Sequence, residues 1–430
     1  MRVFLKILIL TAILSGYNSC KDKNGDQENK HSDTRKEVTA KEILGNPDYL
    51  AISYGGYRHD TRDIQPTLEE LKEDMLILSA MGVKVLRTYN VQLKQAPNLL
   101  KVISQLKEED PSFEMYVMLG AWIDCQNAWT DLEPDHEAES EQNADEIARA
   151  VALANKYPGI VKVLAVGNEA MVKWATSYYV QPRVVLKWVN HLQELKKSGE
   201  LPSDLWITSS DDFSSWGGGS TEYHTEDLEK LIKAVDYISM HTYPYHNTHY
   251  FPQFWWVTEE ESQNSAIEKI DAAMLRAKGF AMSQYKAVSD YVNSLGVDTP
   301  IHIGETGWAS VATGHYGPNG SKATDEYKEA LYYKHMRDWT NEAGISCFYF
   351  EAFNEPWKDS HNKKGSENHF GLFTVDGQAK YPLWDLVDQG VFKGLTRNGN
   401  PITRTYNGDI EDLMMDVLIP PTKEEHAVEH

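Results

Sequence analysis

The chain has 430 residues, 41% of them hydrophobic, with 12 Trp, 23 Tyr and 12 Phe, a supply of apolar and aromatic surface that excludes a disordered chain. Its 64 Asp and Glu against 42 Lys and Arg give a formal charge of -22, which excludes nucleic acid or another polyanion as the main partner, because phosphate binding needs clustered cations. Three Cys in the whole chain exclude a disulfide scaffold.

At the N-terminus, Arg2 and Lys6 flank the start of an apolar run, Ile7 to Leu14, too short to cross a bilayer and patterned like an export signal. It ends at Ser19-Cys20. A small residue before Cys resembles a bacterial lipoprotein cleavage box, so residues 1–19 are read as a signal peptide and Cys20 as the lipid attachment site. A plain secretory signal with an incidental Cys is the alternative. Residues 20–40 are polar and charged without apolar periodicity, as expected for a flexible tether. The expected location is the outer membrane, on its periplasmic face or at the cell surface, with lipid as the one membrane contact.

From Tyr49 onward, β-rich runs alternate with amphipathic ones. Strands are expected at 50–54, 83–88, 115–119, 160–166, 205–209, 237–241, 301–303 and 347–350, several of them continuously apolar, as parallel strands buried on both faces are. Helices are expected at 67–81, 145–156, 184–197, 225–234, 264–294 and 325–343, from apolar positions spaced three and four apart. Eight strands, most followed by a helix, predict a single-domain α/β fold, a (β/α)8 TIM barrel, over residues 41–382. Residues 383–430 are expected as a C-terminal tail, packed on the barrel or trailing from it. An insertion at 246–263, carrying Phe251, Phe254, Trp255 and Trp256, is too apolar for a free loop; it either packs on the barrel or walls a cleft.

Function in such a barrel gathers at the C-terminal ends of the strands. The fourth strand runs into Gly167-Asn168-Glu169, the seventh into Gly304-Glu305-Thr306-Gly307-Trp308. These two strands lie across the mouth, so the two carboxylates can oppose one another. Paired carboxylates about 5–5.5 Å apart are what retaining glycoside hydrolysis requires, one attacking the anomeric carbon and one protonating the leaving oxygen.

The ordered set of motifs resembles glycoside hydrolase family 17, the β-1,3-glucanase or laminarinase family, over nearly the whole barrel. Ile52-Ser53-Tyr54-Gly55, Arg87-Thr88-Tyr89, Asn168-Glu169, Met240-His241-Thr242-Tyr243-Pro244-Tyr245, Glu305-Thr306-Gly307-Trp308 and Phe350 to Lys358 carry it. Thr306 stands where many members have Ser, and Ala309 where many have Pro. The resemblance implies Glu169 as acid/base and Glu305 as nucleophile, with Tyr243 donating its hydroxyl to Glu305 and Glu355 with Lys358 as a supporting pair. Asn168 suits the sugar 2-hydroxyl or, alternatively, a helix cap; Arg87 suits compensation of the two carboxylates or a structural salt bridge. Sugar rings present apolar faces, which makes Tyr54, Tyr89, Trp122, Trp308 and Trp357 the candidate platforms, Trp308 and Trp357 first.

His241, His246 and His249 match no zinc spacing, and no metal or cofactor is expected. Whether Cys125 and Cys347 pair is left open by the sequence. The expected activity is endo-cleavage of laminarin-like β-1,3-glucan by a monomer. A β-1,3-glucanosyltransferase on the same scaffold and a non-catalytic glucan-binding surface protein are the alternatives.

Overall fold

The computed structural model describes residues 38–428; the signal peptide and Cys20 lie outside them. Eight parallel strands close a barrel: β1 (Leu50–Ser53), β2 (Val83–Arg87), β3 (Tyr116–Ala121), β4 (Val161–Asn168), β5 (Trp206–Asp212), β6 (Ile238–His241), β7 (Ile301–Thr306) and β8 (Cys347–Tyr349). Each pairs with its sequence neighbours, and β8 returns to β1 through Ile52 and Tyr349. Seven main helices lie on the connections: α1 (Leu68–Ala80), α2 (Gln95–Glu109), α3 (Gln142–Lys156), α4 (Pro182–Ser198), α5 (Glu226–Ala234), α6 (Ala266–Ser294) and α7 (Glu326–Glu342). This is the (β/α)8 barrel that the sequence predicts.

Local chemistry explains the boundaries. Thr67 with Glu70 and Ser265 with Glu268 form capping boxes at the starts of α1 and α6, each satisfying two otherwise unbonded backbone donors. Pro182 opens α4, and Gly199 ends it in the left-handed region at φ 82°, where a side chain would be strained. Every residue of β3 is buried, because helices cover one face and barrel packing the other.

The N-terminal mouth of the barrel is plugged from below. Thr39 and Glu42 form another capping box, and Ala40, Ile43 and Leu44 pack with Ala51, Val85, Met118, Ala165 and Phe348. Ala40, at the end of the expected tether, is completely buried, and the polar spacing of Thr39 and Glu42 is a cap rather than linker composition.

The chain after β8 lies on the barrel. Buried Asp74 of α1 accepts from Arg397 Nε at 2.8 Å, from Arg58 Nη2 at 2.8 Å and from the Tyr54 hydroxyl at 3.0 Å. Lys380 pairs with buried Glu329 of α7 at 3.2 Å, and Val257 N donates to Pro421 O. At the closing seam, Arg337 of α7 donates to both Ala51 O of β1 and Cys347 O of β8 at 2.6 Å. Cys125 and Cys347 are both buried and unpaired.

Candidate active site

Asn168 ends β4 and Glu169 follows it with φ 47°, a left-handed conformation that costs a side-chain-bearing residue energy and needs support around it. Gly167, at φ 82°, makes the preceding turn; a Cβ there would meet that of Ala170 at 2.7 Å. Glu169 N donates to Ser210 O of β5 at 2.9 Å. Across the mouth, Glu305 sits within β7, and Gly304 before it presses so close to β6 that a Cβ would lie 1.9 Å from Ser239 Oγ. One carboxylate oxygen of each Glu and one ring nitrogen of His241 lie within 4.8 Å of one another.

The two carboxylates have opposite surroundings. Glu305 is 6% exposed, takes the Tyr243 hydroxyl at 2.7 Å and the Tyr89 hydroxyl at 3.0 Å, and pairs with the Arg87 guanidinium. Burial pushes its pKa up, but Arg87 and the two hydroxyls outweigh that and hold it at about 2,. Glu169 is driven well above the usual carboxylate range, first by burial and then by the charge of Glu305. Desolvation is the larger of the two causes.

His241 joins the two sides. Its Nδ1 lies 3.1 Å from Glu169 Oε1, and its Nε2 lies 2.8 Å from Ser210 Oγ and 3.2 Å from Arg87 Nη2. Arg87 can only donate, so Nε2 accepts and the ring proton sits on Nδ1, directed at Glu169. Burial lowers the His241 pKa to about 4, which leaves Arg87 as the positive charge of the group near neutral pH. Arg87 Nη2 also donates to Asn168 Oδ1 at 2.5 Å. The Asn168 amide nitrogen is thereby left to donate to a hydroxyl, and the helix-cap alternative is not what its side chain does.

Lys358 Nζ pairs with Glu351 at 2.6 Å and Glu355 at 3.4 Å. Glu355 in turn accepts from Tyr57 N and Trp357 Nε1, forming one polar wall of the cleft. Tyr89, Trp122 and Trp357 line that same half. Trp357 carries the Arg62 guanidinium over its ring at 4.2 Å.

Two platform candidates are corrected. Trp308 is completely buried, its Nε1 donating to Ala323 O at 2.8 Å and its ring among Tyr245, Trp255 and Tyr332; it is core. Tyr54 is 1% exposed, its hydroxyl committed to Asp74, so it supports the cleft floor and offers no stacking face.

The sequence reading missed three features. It weighed His241 only as a metal ligand, gave Glu351 no role, and passed over Trp129 and Tyr178, which stack at 5.0 Å beside Trp122. Trp129 belongs to a β-hairpin, Cys125–Gln126 with Asp135–Glu139, that the sequence does not announce. The insertion does both things expected of it. Trp255 is buried and donates to Ser321 O, while Phe251 stays exposed on the cleft.

The three histidines do not converge, since His246 meets the Tyr316 hydroxyl and His249 stacks on His315. The Glu169, His241 and Glu305 atoms are close enough to ligate a cation, but Arg87 already supplies fixed positive charge to Glu305 and to His241 Nε2, and a metal there would face it.

A family model described as the BtgE/BtgC glycoside hydrolase domain matches residues 51–371. The chain belongs to this glycoside hydrolase family. An endo-laminarinase of Formosa Hel1_33_131 is 68% identical, with a TM-score of 0.89 over 90% of this chain and 98% of that one. The probable glucan endo-1,3-beta-glucosidase btgC of Aspergillus flavus is 24% identical over 84% of this chain and 48% of its own length. The chain thus spans about half the length of the curated Aspergillus relatives it matches. A glycoside hydrolase family 17 beta-1,3-glucanosyltransferase of Rhizomucor miehei, 20% identical with a TM-score of 0.52 over 76% of this chain and 94% of that one, shares the fold.

Proposed function

We propose that this glycoside hydrolase is a retaining endo-β-1,3-glucanase acting on laminarin-like glucan by double displacement, in the manner of family 17. Glu305, ionised, attacks the anomeric carbon while Glu169 gives its proton to the leaving oxygen. The glycosyl ester removes the charge of Glu305. Glu169 then loses the part of its pKa rise that came from Glu305, takes a proton from water and drives the second displacement. Asn168 meets the 2-hydroxyl, and Tyr243 and Tyr89 aim the nucleophile.

The observation that carries the reading is the separation of the carboxylate oxygens, within 4.8 Å. This close approach of one oxygen from each carboxylate supports the ~5–5.5 Å spacing of retaining enzymes over the ~6.5–9.5 Å spacing at which inverting ones hold a water. The 68% identity to a protein described as an endo-laminarinase supports the substrate. The test is a time course on laminarin and on defined β-1,3-oligosaccharides with every product sized. Internal cuts are expected. Products longer than the starting oligosaccharide would instead make the enzyme a transferase, and binding without turnover would make it a glucan-binding protein.

We also propose export and lipid attachment at Cys20. Incorporation of labelled palmitate into the wild type and its loss in Cys20→Ala is the expected result; equal labelling of both would refute it.

A further inference from the structure

Glu305 lies where two hollows of the barrel mouth meet. One, of about 650 Å³, contains Asn168, Trp357 and Lys358. The other, of about 1130 Å³, contains Glu169 and ends at Trp174, Tyr250 and Phe251. An acid that protonates a leaving oxygen must touch that oxygen. The hollow holding Glu169 therefore receives the departing chain, and the hollow holding Asn168 the sugar that becomes bonded to Glu305.

On the departing side the rim is unusual. Trp174, Tyr250 and Phe251 are 63%, 62% and 59% exposed. Isolated exposed aromatics need no explanation, but three around one hollow make a patch that does. Their backbone is fixed from behind. Trp255, four residues after Phe251, is buried and bonded to Ser321 O, and Phe254 stacks on Phe280 at 4.5 Å. Lys173 N, next to Trp174, donates to the Tyr223 hydroxyl at 3.0 Å. Below the rim, Asp212, Asn247 and Gln284 line the hollow with polar groups. Firmly mounted aromatic faces above hydroxyl-binding groups suit glucose rings, which are apolar on their faces and polar at their edges.

We propose that Trp174, Tyr250 and Phe251 are the platform that grips the glucan chain on the leaving side of the cut, so that these residues set the preference for long chains. The proposal rests on the retaining-glucanase reading. It commits to a β-linked glucan as occupant because the patch is continuous with the hollow that contains Glu169.

The experiment measures kcat/KM of the full chain on two substrates: a β-1,3-linked glucose hexamer, and a β-1,3-linked dimer carrying a p-nitrophenol leaving group too short to reach the rim. In Trp174→Ala and in Phe251→Ala, the value for the hexamer is expected to fall about tenfold. The loss on the aryl dimer is expected to be at least about fivefold smaller, and Trp174→Phe is expected to recover most of the hexamer activity. Equal losses on both substrates would overturn the platform and assign the rim to folding. No loss on either would also overturn it and leave the patch for a protein or a second copy. A wild type that cleaves neither substrate would instead sink the glucanase reading itself, and the platform with it.

Discussion

Arg87 gives its ion pair to Glu305, whereas Glu169 is met by the neutral ring of His241. Two carboxylates within 4.8 Å thus have different environments, one charge-compensated and one not, and their pKa values are driven apart. That division is the electrostatic basis for the proposed roles of Glu169 as acid and Glu305 as nucleophile.

The pH dependence follows from it. The nucleophile must be ionised, so kcat/KM falls as pH drops toward the Glu305 pKa of about 2, with a contribution from His241, which gains a proton below about 4. The acid must be protonated, so kcat/KM also falls as pH rises through the elevated Glu169 pKa,. A kcat/KM profile on laminarin should therefore be a bell whose acid limb lies below the normal carboxylate range and whose alkaline limb lies above it. An alkaline limb lying within the normal carboxylate range would contradict this reading.

Glu305→Gln should lose turnover by at least ~10⁴-fold while still binding glucan, because among the described residues Glu305 is the carboxylate grouped with Glu169 and His241, and its amide cannot attack the anomeric carbon. Glu169→Ala should keep measurable first-step chemistry on a substrate with a good leaving group, such as a dinitrophenyl glycoside. Added azide should then be captured as a β-glycosyl azide, detectable by mass spectrometry and NMR. An α-linked azide would mean the reaction inverts.

The same electrostatics has a cost in stability. A carboxyl whose folded pKa is raised binds its proton more tightly in the folded state, so folding loses stability as pH rises above the unfolded pKa of the group. Glu169→Gln should therefore raise Tm at pH 8 and change it little at pH 4. For Glu305 the sign is reversed: its lowered pKa contributes stability that is present above the unfolded value and lost as pH falls toward 2,. Thermal melts of both Gln variants across pH would check the pair, and identical shifts at pH 4 and 8 would refute the assignment.

Arg87→Met leaves Glu305 buried without its cation. Loss of one partner from a buried pair costs about 3–5 kcal/mol, and the freed carboxyl should titrate higher, moving the acid limb of the kcat/KM profile up by at least one pH unit. An acid limb unmoved in a folded variant would mean that the two tyrosine hydroxyls alone hold Glu305 ionised.

Trp308→Ala should behave as a core deletion, costing about 3–5 kcal/mol in urea denaturation and changing KM for laminarin little at temperatures where it stays folded. A KM rise of tenfold with unchanged stability would restore Trp308 as a platform.

Much of this was legible in the sequence because barrel strands and rim motifs are local signals. All eight strands lie where the apolar runs place them, and Glu169 and Glu305 follow the Gly that turns or packs the strand ends. What failed has physical reasons. Helix α2 was not foreseen: it starts after Lys94 without a side-chain cap, and Pro97 in its first turn reads as a breaker. Trp308 closes the motif that begins at Glu305 and lies just past the end of β7, and no linear spacing shows that Tyr245, Trp255 and Tyr332 close over it. His241 lay inside a recognised motif, yet its role depends on Arg87 and Glu169 arriving from two other strands.

Arg337 spans the closing seam of the barrel, bonded to carbonyls of the first and last strands, where the ladder itself registers through one pair, Ile52 with Tyr349. Asp74 ties the segment carrying Arg397 back onto α1. The ring is therefore clasped twice where it is thinnest, and neither strand 1 nor strand 8 can peel away without breaking buried charge contacts. Opening at the seam becomes part of global unfolding, so amides of β1 and β8 should exchange hydrogen no faster than those of β3 and β4.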